Sequence, residues 1–329
     1  MTNKKVTVVE VAEAAGLSVA SVSRALSGSR PVTPEVAELV KNAAASLGYE
    51  PDKLARSLRM GKTSTVGLVV PDLASPFFPL LAYGVEKALD SQGLSMIVMN
   101  ADNDPKRERH CIEELISRRI DALLISPTHR IESKSAVENA ASRIPVVQID
   151  RYATSRVASI VTDPRRTVQL AYEHMRQRGG DAFAFIGATS ASSAAHDRLS
   201  EYRIAMKEHS PPSGERLIVG EFSFDWGHEA GRRVIEQWPE LNAIICANDL
   251  IALGVIHGLQ ECGRSVPESV MVTGCDDTFF STVSRPSVTS VAQPITEIAT
   301  LAVAALRDGT ILPTRTAVAP ELRVRQSTG

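Results

Sequence analysis

Residues 7–26 read TVVEVAEAAGLSVASVSRAL. Thr7 and Glu10 have the spacing of a capping box, in which a hydroxyl and a carboxylate satisfy each other's backbone amides at the start of a helix. Apolar residues then recur at helical spacing, and Gly16 is placed to end the helix. A second helix is predicted over about residues 18–26. The stretch therefore predicts two helices joined by a glycine-containing turn, the geometry of a helix-turn-helix motif.

A third helix is predicted after Thr33-Pro34-Glu35, which offers an N-cap, a proline at the first helical position and an acid near the positive helix end. Gly48 is placed to end this helix. Three short helices predict a small helical domain over residues 1–50. The apolar stripe expected to face inward on the third helix comprises Val36, Leu39, Val40, Ala43 and Leu47.

Charge is distributed unevenly along the 329 residues, although the net charge is only −2. Residues 1–62 hold nine Lys and Arg against six Asp and Glu, a net charge of +3, and the remainder carries −5. A slightly basic head on an acidic body is compatible with nucleic-acid binding. The chain shows no signal-peptide core and no apolar run of the ~20 residues that span a bilayer. Four separated cysteines, without a Cys-x-x-Cys pair, predict buried reduced thiols.

From Thr65 onward, short apolar runs alternate with amphipathic stretches of roughly 10–15 residues, which is typical of parallel strands covered by helices on both faces. Such a number of units would overfill one open sheet, so we expect an α/β core of two doubly wound subdomains with a ligand cleft at their strand ends. The predicted strands cover residues 66–70, 94–99, 122–125, 146–149, 182–186, 243–246 and 271–274.

The second helix has a face of small and polar side chains that can approach DNA closely. Val19 and Ala20 can make only apolar contacts, for example with a thymine methyl group. Arg24, one turn later, can bind guanine O6 and N7 or a phosphate. A helical cap with a solvated Ser/Arg face would show the same spacing, so the motif alone leaves both interpretations open.

The chain resembles the lactose-repressor/galactose-repressor family of transcription regulators. After residues 7–26 the likeness continues through LGYEP (47–51), LARSL (54–58), VGLVVPD (66–72), ND (248–249), GCDD (274–277) and QP (293–294). The resemblance implies a repressor that binds a pseudopalindromic operator as a dimer, with a core like that of periplasmic sugar-binding proteins. The DNA-binding residues that it implies are Thr7, Ser18, Val19, Ala20, Ser21, Ser23, Arg24, Thr33, Tyr49, Ala55 and Leu58.

Residues 51–62 correspond to the hinge helix and linker of that family. So short a helix is marginal in isolation because helix nucleation is costly, and we expect it to become ordered on DNA. Leu58 would then be an apolar wedge in the minor groove; an ordinary linker with Leu58 packed on the body is the alternative. The remaining residues, 63–329, form the effector-binding core, divided into 63–161 with 293–320 and 162–292 with 321–329.

The resemblance places an effector between the two subdomains. Arg198 matches an arginine that grips effectors in relatives, and its forked guanidinium can bind vicinal hydroxyls or a carboxylate. With Asn248 and Asp276 it describes a polar cage for a hydroxyl-rich molecule such as a sugar. A nucleobase, a nucleoside or a protein partner is the alternative. The effector-binding residues implied are Phe77, Phe78, Arg151, Arg198, Trp226, Asn248 and Asp276, of which the aromatic residues could instead belong to the core.

Enzymatic function is not expected, because the sequence contains no G-x-S-x-G elbow, no H-E-x-x-H metal spacing and no complete G-x-G-x-x-G. Neither a cofactor nor a metal is expected. A transport binding protein is a further alternative, against which the helix-turn-helix motif argues. The sequence thus predicts a cytoplasmic, nucleoid-associated regulator.

Overall fold

The computed structural model describes residues 6–27, 31–49, 62–189, 191–209, 216–308 and 314–329. The chain divides into two compact units, with the boundary between Ser64 and Thr65. The predictions for Ala55, Leu58 and the hinge helix concern positions outside the described residues. Among the described residues, no helix combines the length and the apolar character needed to cross a membrane.

The N-terminal unit contains the helices α1 (Val8–Ala15), α2 (Val19–Ser27) and α3 (Pro34–Leu47). The predicted capping box is present: the Thr7 amide donates to Glu10 Oε2 over 2.7 Å, and Thr7 Oγ1 accepts from the Glu10 amide over 3.4 Å. Gly16 and Gly48 end α1 and α3 with φ of +66° and +62°. Glycine adopts this left-handed conformation without a steric cost. The predicted helix ends are therefore confirmed.

The three helices enclose a small apolar core around Val11, Val22 and Val40. Two of the residues expected in this core are instead exposed, Leu39 by 51% and Leu47 by 38%. On α3 the buried residues are instead Val40, Ala43 and Ala44, so the inward stripe is narrower than the apolar pattern.

The C-terminal unit alternates strands and helices along the chain. Its first part contains β1 (Thr65–Val70), α4 (Phe77–Asp90), β2 (Ser95–Asn100), α5 (Pro105–Ser117), β3 (Ala122–Ile125), α6 (Lys134–Ala141), β4 (Val146–Ile149), β5 (Ser159–Thr162) and α7 (Pro164–Gln177). There follow β6 (Phe183–Ala188), α8 (Ser193–His209), β7 (Leu217–Gly220), α9 (Phe224–Gln237), β8 (Ala243–Cys246) and α10 (Asp249–Glu261). The last part contains β9 (Met271–Cys275), α11 (Phe279–Val283), β10 (Thr289–Ala292), α12 (Ile295–Asp308), β11 (Arg315–Val318), β12 (Glu321–Arg323) and a 3₁₀ helix (Gln326–Thr328).

These strands form one sheet in the order β2-β1-β3-β4-β5-β11 and another in the order β7-β6-β8-β9-β10-β12. All pairings are parallel except the one between β10 and β12. Both sheets are thus doubly wound, with a topological switch point between their first and third strands. The predicted fold class is confirmed.

Side chains alternate between the two faces of the first sheet. Leu68 and Val70 pack against α4 and α12, whereas Val69 packs against α5 and α6. Because α12 comes after β10 in the chain but packs on the first sheet, the chain must cross between the two subdomains there. The subdomains are therefore joined by several connecting segments, and their relative position depends on all of these connections.

The predicted strands all exist, with shifts of one or two residues at some ends. The strands β5, β7, β10, β11 and β12 were not predicted. They are three or four residues long, and β5 (SIVT), β10 (TSVA) and β11 (RTAV) are half polar. The polar side chains of β5 and β10 are buried by neighbours from distant parts of the chain, which the hydrophobicity of the local sequence cannot show. On β11, Arg315 is exposed and Thr316 is half-buried.

The helices α9 and α10 approach so closely that backbone meets backbone at glycines. A Cβ atom on Gly231 would lie 2.6 Å from the carbonyl oxygen of Val255, and Cβ atoms on Gly227, Gly254 and Gly258 would meet backbone atoms of the partner helix at still shorter range. Only glycine permits this separation.

Gly231→Ala should therefore destabilise the protein by about 1–3 kcal/mol, because the added methyl group forces the two helices apart. Helix propensity alone predicts the opposite, a gain of roughly 0.5–1 kcal/mol. Urea unfolding of this variant and of Gln260→Ala, an exposed position on α10, separates the two effects. A Gly231→Ala protein as stable as the wild type would mean that the helices can separate without cost.

Candidate functional site

The helix α2 carries most of the residues predicted to contact DNA. The Ser18 hydroxyl caps the helix by accepting from the Ser21 amide over 3.2 Å, and the two hydroxyls lie 2.9 Å apart. Arg24 donates to the Ala20 carbonyl over 3.2 Å and to Ser21 Oγ over 3.3 Å. Val19 is 42% exposed, and Ala20 and Arg24 are also exposed. These contacts lay the arginine along an accessible face of the helix.

Most of the other predicted DNA contacts in the described part of this unit lie at helix ends. Thr7 and Thr33 are exposed and immediately precede α1 and α3. Tyr49 follows α3 and is half-buried against the helical core, and Ser23 is half-buried on α2. Exposed helix N-termini attract phosphate, but whether these residues contact DNA stays a prediction.

In the C-terminal unit, a cleft opens where the carboxyl ends of both sheets face each other. Its cavity volume is about 500 Å³, within the range of roughly 300–1,000 Å³ typical of small-molecule sites. Loops after β1, β3 and β4 form one wall, and residues following β6 to β10 form the other. Of the predicted effector residues, Phe77, Phe78, Arg151, Arg198, Asn248 and Asp276 line this cleft.

Arg151 is the central cation of the first wall. It is buried, with Nε 3.6 Å from Asp150 Oδ2. Its guanidinium carbon lies 5.2 Å from the ring centroid of Phe78 and 5.7 Å from that of Phe222, distances that permit cation–π attraction. In the structure, the Phe78 ring packs against this arginine.

Phe77 and Phe78 belong both to the core and to the cleft. They are 4% and 3% exposed and pack in the core of the first sheet, with ring centroids 5.2 Å apart in an edge-to-face arrangement. The two interpretations considered for them are thus compatible, because α4 begins at the cleft and then runs along the sheet.

Trp226, which was predicted to bind the effector, is not among the residues that line the cleft. Its ring covers Gly220, its Nε1 donates to the Gly187 carbonyl over 3.2 Å, and it packs on the core of the second sheet. The aromatic residue that reaches the cleft is Phe222. Phe222 follows β7 directly, whereas Trp226 lies in the first turn of α9, behind the cleft wall.

Arg198, Asn248 and Asp276 form the polar part of the second wall. Arg198 Nη1 donates to the Ala247 carbonyl over 2.7 Å, and Nη2 lies 3.9 Å from Asp276 Oδ1. Asn248 caps α10 by accepting from the Ile251 amide over 2.9 Å, and within the described residues its NH₂ group remains to donate to a ligand. The wall thus offers both donors and acceptors.

Gln293 joins the two walls. It accepts from Thr162 Oγ1 over 2.6 Å and donates to Asp276 Oδ1 over 2.7 Å. A second link lies beside the cleft, where Arg315 Nη2 donates to Asp197 Oδ2 over 2.6 Å. Movement of one sheet against the other must change both contacts.

Two cleft aspartates have left-handed backbone conformations, with φ of +62° at Asp150 and +107° at Asp276. Such conformations are uncommon for residues with a side chain and concentrate at functional sites. Burial raises the pKa of the Asp276 carboxyl from 3.8 to about 7, against the opposing effect of Arg198. Burial likewise raises the pKa of Asp150 and lowers that of Arg151. The cleft therefore presents strongly desolvated charges to a ligand.

The cleft residues that were not predicted to bind the effector include Asp150, Phe222 and Gln293. Each comes just after a strand, at the edge where ligands bind in such sheets. The strands before Phe222 and Gln293, β7 and β10, were themselves not predicted, so their ends gave no signal. Asp150 does follow a predicted strand, and that position was the available clue.

The stability of the Asp276→Asn variant relative to the wild type should rise with pH from 3.8 to about 7. Folding raises the pKa of this carboxyl, so its contribution to stability is full below its unfolded pKa and is lost as the pH rises through its folded pKa. The amide has no such proton. Urea unfolding across this window measures the difference, with Asp102→Asn, an exposed aspartate at φ +56°, as the control. A pH-independent difference at position 276 would contradict the shifted pKa.

Two family models match separate parts of the chain. The sequence profile of bacterial regulatory proteins of the lacI family matches residues 7–52, and that of the periplasmic binding protein-like domain matches residues 172–328. Catabolite control protein A of Priestia megaterium is 31% identical over 300 residues, 90% of either chain. The ribose operon repressor of Escherichia coli K12 is 29% identical over 90% of this chain and 91% of its own.

Solved structures share the fold over the full chain. A lac repressor dimer bound to operator and the anti-inducer ONPF is 24% identical, with a TM-score of 0.86 and 99% of both chains covered. A complex of the transcriptional regulator CelR with cellobiose is 28% identical, with a TM-score of 0.72, covering 98% of this chain and all of the other. The protein belongs to the lacI family of bacterial regulatory proteins and is a DNA-binding transcriptional regulator with a periplasmic-binding-protein-like core.

Proposed function

We propose that the protein is a repressor that binds a pseudopalindromic operator as a homodimer and is controlled by a sugar or sugar derivative in the cleft. The observation that carries the effector assignment is the buried set of Arg198, Asn248 and Asp276 beside a cavity of about 500 Å³. Such a set can donate to and accept from several hydroxyl groups at once. The subdomain limits given by the sequence, 63–161 with 293–320 and 162–292 with 321–329, are part of this proposal.

The exposed face of α2 supports binding in the major groove. Val19 and Ala20 are placed for apolar contacts with base edges, and Arg24 for a base or a phosphate. One head can read only one half-site, so a two-fold operator requires two copies of the chain. In this proposal Ala55 and Leu58 contact the minor groove at the centre of the operator.

Relatives support a sugar as the effector. The relative from Escherichia coli K12 is named a ribose operon repressor, and the structure of CelR is that of a complex with cellobiose. A nucleobase, a nucleoside or a protein partner is the second candidate. The Phe222 ring in the cleft lining favours the first two, because an aromatic ring can stack on a base. A thermal-shift panel of ribose, cellobiose, adenine and guanosine distinguishes the two classes of small molecule, and a response to none of them favours a protein partner.

Control by the effector follows from the position of the cleft. Arg151 comes from one subdomain and Arg198 from the other, so a ligand that contacts both has different affinities for the open and closed arrangements. That difference in affinity is the source of allosteric coupling. Proteins of this family are regulators rather than enzymes, and we propose that this chain likewise has no catalytic activity and acts in the cytoplasm without a cofactor.

Arg24→Ala should reduce the preference for operator over random duplex by about 1–3 kcal/mol, as expected for loss of a bidentate base contact. Lys41→Ala, which removes an exposed charge from α3, is the control and should weaken binding to both duplexes alike. Fluorescence anisotropy with an operator selected from a random library measures both affinities. An unchanged ratio for Arg24→Ala would make Arg24 a phosphate contact.

Arg198→Ala should abolish the effect of the effector on operator binding while leaving operator affinity intact. Alanine at this position also removes the cation beside the buried Asp276 carboxyl. Arg198→Lys is therefore a second variant, which keeps the positive charge but loses the forked guanidinium. Arg165→Ala, at an exposed position of α7, is the control. Operator binding titrated with the effector found in the panel is the measurement, and a normal response of both Arg198 variants would place the effector elsewhere.

A further inference from the structure

Two histidines and a glutamate converge on the surface of the glycine-packed helix pair, away from the residues that line the cleft. His228 lies on α9, and His257 and Glu261 lie one turn apart on α10. His228 Nε2 is 2.8 Å from Glu261 Oε2, and His257 Nδ1 is 3.7 Å from Glu261 Oε1. A nitrogen or oxygen ligand atom from each residue lies within 4.8 Å of the others. We propose that this cluster is a binding site for a divalent transition metal of the Zn²⁺ class.

One of the ligand separations is already close to that of a tetrahedral ion. Zinc binds imidazole nitrogen and carboxylate oxygen at about 2.0–2.2 Å, which places neighbouring ligand atoms about 3.4 Å apart. The separation of His257 and Glu261 is already close to this value. The shorter separation between His228 and Glu261 is that of a hydrogen bond, and a metal would take the place of the proton that the two atoms share.

The ligands are held by a rigid scaffold. Gly258, next to His257, packs directly on the carbonyl oxygen of His228, and Gly231 packs on the backbone of Val255. Since only glycine allows these contacts, the separation of the two helices, and with it the separation of the ligands, is set by backbone packing. A site built on such elements needs little reorganisation to bind an ion.

Charge and exposure also suit a metal. Glu261 supplies the carboxylate of the cluster, with one oxygen facing each histidine. The side chains of His228, His257 and Glu261 are 28%, 55% and 45% exposed, which leaves room for water as a further ligand. Arg232 Nη1 lies 3.9 Å from Glu261 Oε2 and opposes a cation, but its side chain is 51% exposed and can turn into solvent.

Hard cations are excluded by the same chemistry. Two imidazole nitrogens and a single carboxylate are poor ligands for Mg²⁺ or Ca²⁺, which prefer oxygen. They match Zn²⁺, Ni²⁺ and Cu²⁺, whose affinities for such sites are the highest among the divalent first-row metals. Because the site lies outside the cleft, its existence does not depend on the proposed effector.

The test is competition dialysis of the full chain against buffered Zn²⁺, with Cys262→Ser in every protein because Cys262 is an exposed thiol beside Glu261. We expect one zinc per chain. His228→Ala and His257→Ala should each weaken its binding at least ~100-fold, since even outer-shell partners cost 10–100-fold. Glu261→Gln, which retains a hydrogen-bonding group, provides a third variant should an alanine variant fail to fold.

The matched control is His110→Ala. His110 and Glu114 on α5 have the same spacing as His257 and Glu261, with Nε2 and Oε2 3.8 Å apart, but in the described part of the chain they belong to no group of three ligands. This change should leave zinc affinity unchanged. Equal zinc affinity in all variants, an equal loss in His110→Ala, or no zinc bound once Cys262 is serine would each overturn the proposal.

Discussion

The hydrogen bonds that Gln293 makes with Thr162 and Asp276 connect the two halves of the core inside the cleft. Asp276 is a buried carboxyl on the second sheet, and a buried charge is stable only with partners. Arg198 approaches it from one side and Gln293 from the other, and Gln293 in turn accepts from Thr162 on the first sheet. Separation of the sheets at this point would leave a desolvated carboxyl without its amide donor. The width of the cleft therefore depends in part on whether Gln293 keeps its hydrogen bond to Asp276.

The cleft presents mainly polar groups because its aromatic rings pack against Arg151. Phe78 and Phe222 approach the cleft from opposite subdomains, yet both face the guanidinium of Arg151. Nε of Arg151 is buried without a hydrogen-bond partner among the described residues. The two aromatic rings therefore help to orient the Arg151 guanidinium. Recognition then falls to guanidinium, carboxyl and amide groups, which discriminate ligands by the number and direction of their hydrogen bonds.

Local patterns predicted the fold better than the site. The capping box at Thr7, the glycine at the end of α1 and the apolar strands of both sheets were recognisable because each depends on a few neighbouring residues. The cleft depends on strands such as β7 and β10, which were not predicted: both are only four residues long, and β10 (TSVA) is half polar. Phe222 was missed and Trp226 chosen for this reason: without β7, nothing in the sequence shows which aromatic residue leaves the strand and which begins the next helix.

The glycine-packed helices connect the cleft wall with the cluster of His228, His257 and Glu261, two regions that the sequence pattern gave no reason to associate. The helix α9 begins just after Phe222 and Ser223, and α10 begins just after Asn248, so both helices start from the cleft wall. Their backbones are in contact at Gly227, Gly231, Gly254 and Gly258. No side chains lie between the helices at these positions that could rearrange if one helix moved against the other. The pair must therefore move as one body when the cleft changes shape. An ion shared by His228, His257 and Glu261 would reinforce that body at a distance from the effector, and it would do so without occupying the cleft.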